Sequence, residues 1–247
     1  MKEKIEKFIT DYVLSHNKDE LFRVPLIGFS SAGDERYKRI KEIIGPHHLY
    51  PTDILPTCKT VVSFFIPFTK KVVESNKQDK AVSYLWAKTY YECNTLINNL
   101  TAHLIEYLKD FSVTAATVQA THGFDEELLK APWSHKSAAH IAGLGEFGVN
   151  HLLITDKGCA GRAGTVFIDI DIEANRKQIF DKSPCLYYQD GSCLKCVENC
   201  PTNALSLGDL NRAVCYEKCL DTDRLYTDIG TCDSCGKCSI GPCAYFE

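Results

Sequence analysis

The sequence predicts an α+β protein in two parts, a layered α/β domain over residues 1–180 and a small ferredoxin-like domain over residues 181–247. Three observations carry this. Strand-like and helix-like hydrophobic periods alternate through the first 180 residues. Ten of the 13 cysteines fall between Cys185 and Cys243. The longest apolar run, VVSFFIPF at 61–68, is far short of the roughly 20 residues a bilayer span needs.

Ile5, Phe8, Ile9, Tyr12 and Val13 recur at helical spacing, so residues 2–15 are predicted as an amphipathic helix. VPLIGFS at 24–30 reads as a strand, followed by a helix capped by Asp34, carrying Tyr37, Ile40 and Ile44, and stopped at Gly45-Pro46. KTVVSFFIPF reads as a buried central strand. One long helix is predicted from Ser83 to Lys109 through Leu85, Tyr90, Leu96, Ile97, Leu100, Leu104 and Leu108. SVTAATVQA at 112–120 reads as a strand, and Ser134 as the cap of a helix running to about Ile141. HLLIT at 151–155 and GTVFIDIDI at 164–172 complete the strands, with GCAGRAG at 158–164 as a turn between them. After Pro201, TNAL is expected to open a short helix, and the charged stretch to Asp228 to be an insertion.

The tail carries the chemistry. CLKCVENCP repeats the second half of the ferredoxin run CxxCxxCxxxCP, and CDSCGKCSIGPC repeats its CxxCxxC triple. Cysteines three apart on a tight loop can aim thiolates at separate corners of one cubane, and the cysteine before the proline crosses to the other cluster. Cys200, Cys232, Cys235 and Cys238 are thus assigned to one [4Fe–4S] cluster. Cys193, Cys196 and Cys243 go to the second, with Cys185 as fourth ligand and Cys215 or Cys219 as alternatives, because Asp190 stands where the run would have its first cysteine. Structural zinc is the competing reading, but three thiolates within seven residues crowd one ion. Disulfides belong to small secreted chains, and the N-terminus lacks a secretory apolar core. A cytoplasmic, membrane-free protein is expected, and oxygen-labile clusters at this density fit an anaerobe. Cys58, Cys93 and Cys159 read as small buried hydrophobes.

Net charge is −4, without a block of basic residues, which argues against a wide polyanion-binding face. AGLGEFG is glycine-rich, but it does not directly follow a strand as a dinucleotide fingerprint must. Arg162, among small residues, suits an anionic or amide-bearing ligand.

KSAAHIAGLGEFGVNHLLIT, GRAGTVFIDID, CLKCVENCPTNAL and CGKC with a last cysteine, in that order from about Pro132 on, resemble the epoxyqueuosine reductases and their relatives, the corrinoid-dependent reductive dehalogenases. The resemblance implies a nitroreductase-like α/β domain seating a cobalamin, then a ferredoxin-like domain whose two [4Fe–4S] clusters feed electrons to cobalt. By that analogy Gly143, Gly145, Gly148, Arg162 and Gly164 face the corrinoid. The family's proton-donating aspartate is Leu129 here, and Val149 stands at its lysine, leaving Glu126, Glu127 or His135 as proton sources. The function implied is an iron–sulfur oxidoreductase passing electrons to a bound corrinoid or small-molecule substrate. An electron donor such as ferredoxin or flavodoxin is implied with it, a homodimer is possible on this reading, and tRNA is an unlikely ligand on charge grounds. The alternative is an electron-transfer or reductive-activation partner without substrate chemistry of its own.

Overall fold

The computed structural model describes residues 1–119, 125, 127–175 and 182–247. Helix α1 (Lys2–Ser15) buries Ile5, Ile9 and Val13 on one stripe, as their spacing predicts. Strand β1 (Leu26–Ser31) follows, then α2 (Arg36–Ile44) and the single turn α3 (Pro51–Ile54). In α2 the Asp34 side chain accepts the Arg36 backbone N–H, and Gly45, with φ +131°, ends the helix. β2 (Thr60–Pro67) is buried at every residue. After α4 (Lys70–Ser75), the 26-residue helix α5 (Tyr84–Lys109) starts where the Ser83 hydroxyl accepts the Trp86 N–H.

β3 (Ala115–Thr117), α6 (His135–Ile141), the hairpin strands β4 (Gly145–Phe147) and β5 (Leu153–Thr155), and β6 (Gly161–Ile168) complete the body. Its sheet has the order β1-β2-β6-β3, with every neighbouring pair antiparallel. The chain is therefore α+β, and alternation along the central strands decides which helix covers which face. Val62, Phe64, Ile66, Val166 and Ile168 pack against Ile97, Leu100 and Leu104 of α5, backed by α1. Val61 and Phe167 face Ala138 and Ile141 of α6 together with Trp133.

Two expectations are corrected. β6 starts at Gly161, so GRAG is strand and not turn: Phe65, Ile66 and Pro67 pair with Ala163, Arg162 and Gly161. A Cβ on Gly161 would lie 2.5 Å from both the Ile66 carbonyl and the Phe65 ring, so the glycine permits a close approach of strands. The second correction is that TNAL forms no helix. Asn203 adopts φ +55°, and the chain enters the two-residue strands β7 (Leu205–Ser206) and β8 (Asp209–Leu210). The charged insertion is itself helical, α9 (Arg212–Leu225), stitched by Lys218–Asp221, Arg224–Asp221 and Arg224–Glu217 pairs.

The tail, with the short helices α7 (Leu186–Asp190) and α8 (Lys195–Glu198), is fastened to the body. Ile240 and Ala244 belong to the main core. Asn76 donates to the Cys235 carbonyl at 3.0 Å, and Lys237 Nζ donates to the Asn76 and Asp79 carbonyls at 2.6 Å each. Among the described residues no helix is long and apolar enough to cross a membrane.

Candidate functional site

The tail folds its cysteines around two separate spaces. Cys185, before α7, and Cys193 and Cys196, flanking the start of α8, border a pocket of about 20 Å³ that Cys243 closes from the C-terminal side. Cys200, Cys235 and Cys238 border a second cavity of about 320 Å³, where α9 contributes Cys215 and Cys219, four residues apart on one helical face. Cys232 lies on neither rim. Its side chain is fully buried beside Ala87 and Ile229, with the thiol directed at the Thr222 and Tyr226 carbonyls at 3.7 and 3.8 Å.

Neighbouring thiols raise one another, mostly within a rim, although Cys196 also acts on Cys238. Burial, reinforced first by Cys243, pushes the Cys196 thiol up to about 11. Burial, then Cys235 and Cys215, pushes Cys238 up to about 12. A hydrogen bond with Cys219 holds Cys215 down at about 7, while the same bond and burial raise Cys219. Thiolates gathered this closely in low dielectric repel one another unless a cationic centre stands among them.

Among the described residues, no three His, Cys, Asp or Glu side chains converge as the shell of a single metal ion would require. A tetrahedral zinc, with Zn–S bonds of about 2.3 Å, would hold its sulfurs only about 3.8 Å apart. A polynuclear cluster instead takes one thiolate at each corner, which spaces its sulfurs more widely.

The largest cavity, about 750 Å³, opens beside the second and shares Lys136, His151, Cys159 and Arg162 with it. Phe65, Trp133, Phe147 and Leu153 give it apolar walls, and Lys130, Lys136, Arg162 and Arg212 give it a cationic rim. His135 is on its wall, where Thr165 Oγ1 accepts the Trp133 indole N–H at 3.0 Å and stands 2.9 Å from His135 Nδ1. Burial, then Arg162, lowers the His135 pKa to about 4, so its imidazole is neutral at physiological pH. Lys136 is exposed at the cavity rim, where partial desolvation of its ammonium, then Arg212, lowers its pKa, and its Nζ donates to the His151 carbonyl at 2.7 Å. Arg162 lies 4.3 Å from the centre of the Tyr90 ring, and the Tyr90 hydroxyl donates to Asp233 at 2.8 Å.

Of the residues singled out in the sequence, the structure brings His135 and Arg162 to this cavity, and Cys185, Cys193, Cys196 and Cys243 to one space. Glu126 falls outside the described residues. Glu127 is exposed in a turn, its N–H bound to Asp125, and away from the cavities above. Gly143, Gly145, Gly148 and Gly164 line none of these three cavities. Gly143 takes φ +78° just past α6, while a Cβ on Gly145, Gly148 or Gly164 would meet Ile154 or Phe64 at 2.4–2.7 Å. Lys136 and Cys159 were missed as site residues. Cys215 and Cys219 were weighed only for the other cluster, although their i, i+4 spacing marked a shared helical face.

No family model and no curated protein matches the chain. Solved structures do. An epoxyqueuosine reductase from Streptococcus thermophilus superposes over 99% of this chain and 66% of its own, with 19% identity and a TM-score of 0.58. An epoxyqueuosine reductase bound to an epoxyqueuosine-modified tRNA stem loop matches over 98% of this chain and 68% of its own, with 18% identity and a TM-score of 0.59. A reductive dehalogenase, described with a mechanism for B12-dependent dehalogenation, matches over 74% of this chain and 24% of its own, with 19% identity and a TM-score of 0.51. The chain spans about two thirds of the epoxyqueuosine reductases' length, and the likeness establishes a shared fold. That likeness reaches the N-terminal half, where the sequence motifs did not. The expectation that tRNA is unlikely finds no support: a net charge of −4 does not say where charges sit, and the large cavity has a cationic rim.

Proposed function

We propose that the chain is an iron–sulfur oxidoreductase that carries single electrons through two [4Fe–4S] clusters toward a ligand in the largest cavity. The observation that carries this reading is the partition of the tail's cysteines onto two rims, one of which shares a wall with that cavity. Cys185, Cys193, Cys196 and Cys243 would hold the outer cluster. Cys200, Cys235, Cys238 and a cysteine of α9 would hold the inner one, with Cys215 favoured because its hydrogen bond with Cys219 holds it toward the thiolate. Cys232, its thiol turned away, would serve packing instead.

The ligand would be a corrinoid, a small molecule beside one, or both. The apolar walls suit a large flat ring, and Lys130, Lys136, Arg162 and Arg212 suit anionic groups, nucleic-acid phosphate included. A bound corrinoid would supply reduced-cobalt chemistry that no side chain offers. The chain's own residues bind and supply protons. Neutral His135, tied to Thr165, fixes the cavity wall. Lys136 Nζ, with its pKa lowered and both cavities in reach, is the proton source these positions support.

Anaerobic reconstitution with iron and sulfide, followed by desalting with and without cobalamin, tests the reading. About eight iron and eight sulfide per chain, with retained corrinoid absorption, is the expected result. Bound zinc without acid-labile sulfide would refute the clusters. Clusters without retained corrinoid would refute the cobalamin alone.

A further inference from the structure

Cys159 belongs to neither set of cluster ligands assigned above, yet it stands directly behind one of them. Its sulfur is 3.8 Å from that of Cys243, and its side chain is 4% exposed. The backbone fixes this approach: the Cys159 N–H donates to the Cys243 carbonyl at 2.9 Å and the Ala160 N–H to the Ala244 carbonyl at 3.1 Å. Beside it, buried Asn150 has its orientation set because Oδ1 accepts the Leu152 N–H at 3.1 Å. Its Nδ2 therefore faces the Cys159 sulfur at 3.7 Å, the Cys243 sulfur at 4.0 Å and the Cys238 carbonyl at 3.1 Å. One amide thus contacts a cysteine from each rim.

We infer that Cys159 and Asn150 are positioning residues that donate S–H and N–H hydrogen bonds to the Cys243 sulfur and thereby raise the potential of the outer cluster. The inference rests on the cluster reading above. Reduction adds one electron, and its charge spreads onto the sulfurs. A donor aimed at a thiolate stabilises the more negative state and so favours reduction. Cys159 also lines the inner and largest cavities, so the same thiol couples the outer cluster's surroundings to the ligand's.

The test is a redox titration followed by electron paramagnetic resonance on the reconstituted full chain, comparing wild type with Cys159→Ala, Cys159→Ser and Asn150→Asp. The expected result for Cys159→Ala is wild-type iron and sulfide. At the wild-type midpoint one cluster's oxidised-to-reduced ratio should rise about tenfold, equivalent to 59 mV for one electron, while the other cluster stays put. Cys159→Ser keeps a donor and should restore the midpoint to within about threefold in that ratio. Asn150→Asp keeps the shape, loses the N–H and adds a negative charge, and both changes should shift the same cluster in the same direction, which also serves if the alanine variant fails to fold. Loss of one cluster in Cys159→Ala would make Cys159 a ligand and overturn the inference. So would an unmoved midpoint, or equal movement of both clusters. A wild-type chain that binds no iron–sulfide would defeat the cluster reading itself, and this inference with it, a different result from clusters whose potentials ignore Cys159.

Discussion

Cys215 faces the inner space from α9, whereas the Cys232 thiol points at the Thr222 and Tyr226 carbonyls. Substitution should separate the two. Cys215→Ala is expected to cut reconstituted iron from about eight to about four per chain, whereas Cys232→Ala should keep its iron and lose on the order of 1 kcal/mol of stability to a small cavity. Equal iron loss in both variants would return Cys232 to the ligand set. Protonation at two histidines makes a second residue-scale prediction. His48 Nε2 accepts the Ser134 N–H at 3.1 Å, and burial lowers the His48 pKa to about 4, as it does that of His135. As pH falls, the unfolded chain takes these protons first, near pH 6.5, and the folded chain only near 4. The penalty is absent above about pH 6.5 and complete below about pH 4, on the order of 3 kcal/mol for each histidine. Urea midpoints should therefore drop between pH 6.5 and 4, and His48→Gln, which retains an acceptor, should flatten part of that slope.

At the scale of elements, α9 is the helix on which the inner site leans. Its N-terminus is held where Asn211 Oδ1 accepts the Val214 N–H at 3.1 Å, one residue before Cys215. Asn211→Ala should cost about 1 kcal/mol and speed iron loss on mild heating, while Asn211→Ser should preserve both; chelator-release kinetics compare them. Beyond the i, i+4 step from Cys215 to Cys219, the local pattern did not announce α9, because its surface is polar nearly all round and its stability comes from charge pairs and the cysteine face turned inward. α1, α5 and β2 were readable because burial there follows a period written in their own residues. The start of β6 was not. Gly161 looks like a turn residue until the Phe65 ring and Ile66 carbonyl occupy the space beside it, and those lie almost a hundred residues away. Thiol spacing grouped Cys193, Cys196 and Cys243 and left Cys185 as the preferred of three candidates, and these four border one pocket, whereas Lys136 and Cys159 gain meaning only from cavities that three distant segments enclose.

For the whole molecule, the decisive feature is how the cysteine tail joins the sheet. Trp86 packs over Gly236, where an added Cβ would meet the indole 2.2 Å away and where the backbone φ is +69°. With Ile240 and Ala244 in the main core and Lys237 capping the carbonyls of Asn76 and Asp79, binding of the proposed clusters would share one free energy with folding of the body. Calorimetry should show a single unfolding transition for the reconstituted chain. Removing the clusters under chelator should move that same transition down by about 2–4 °C for each kcal/mol of binding energy lost. Gly236→Ala should lower it as well, since the new methyl must displace Trp86 from the joint. A tail that melts in a separate early step, with the main transition unmoved by cluster loss, would show that the two parts are only neighbours.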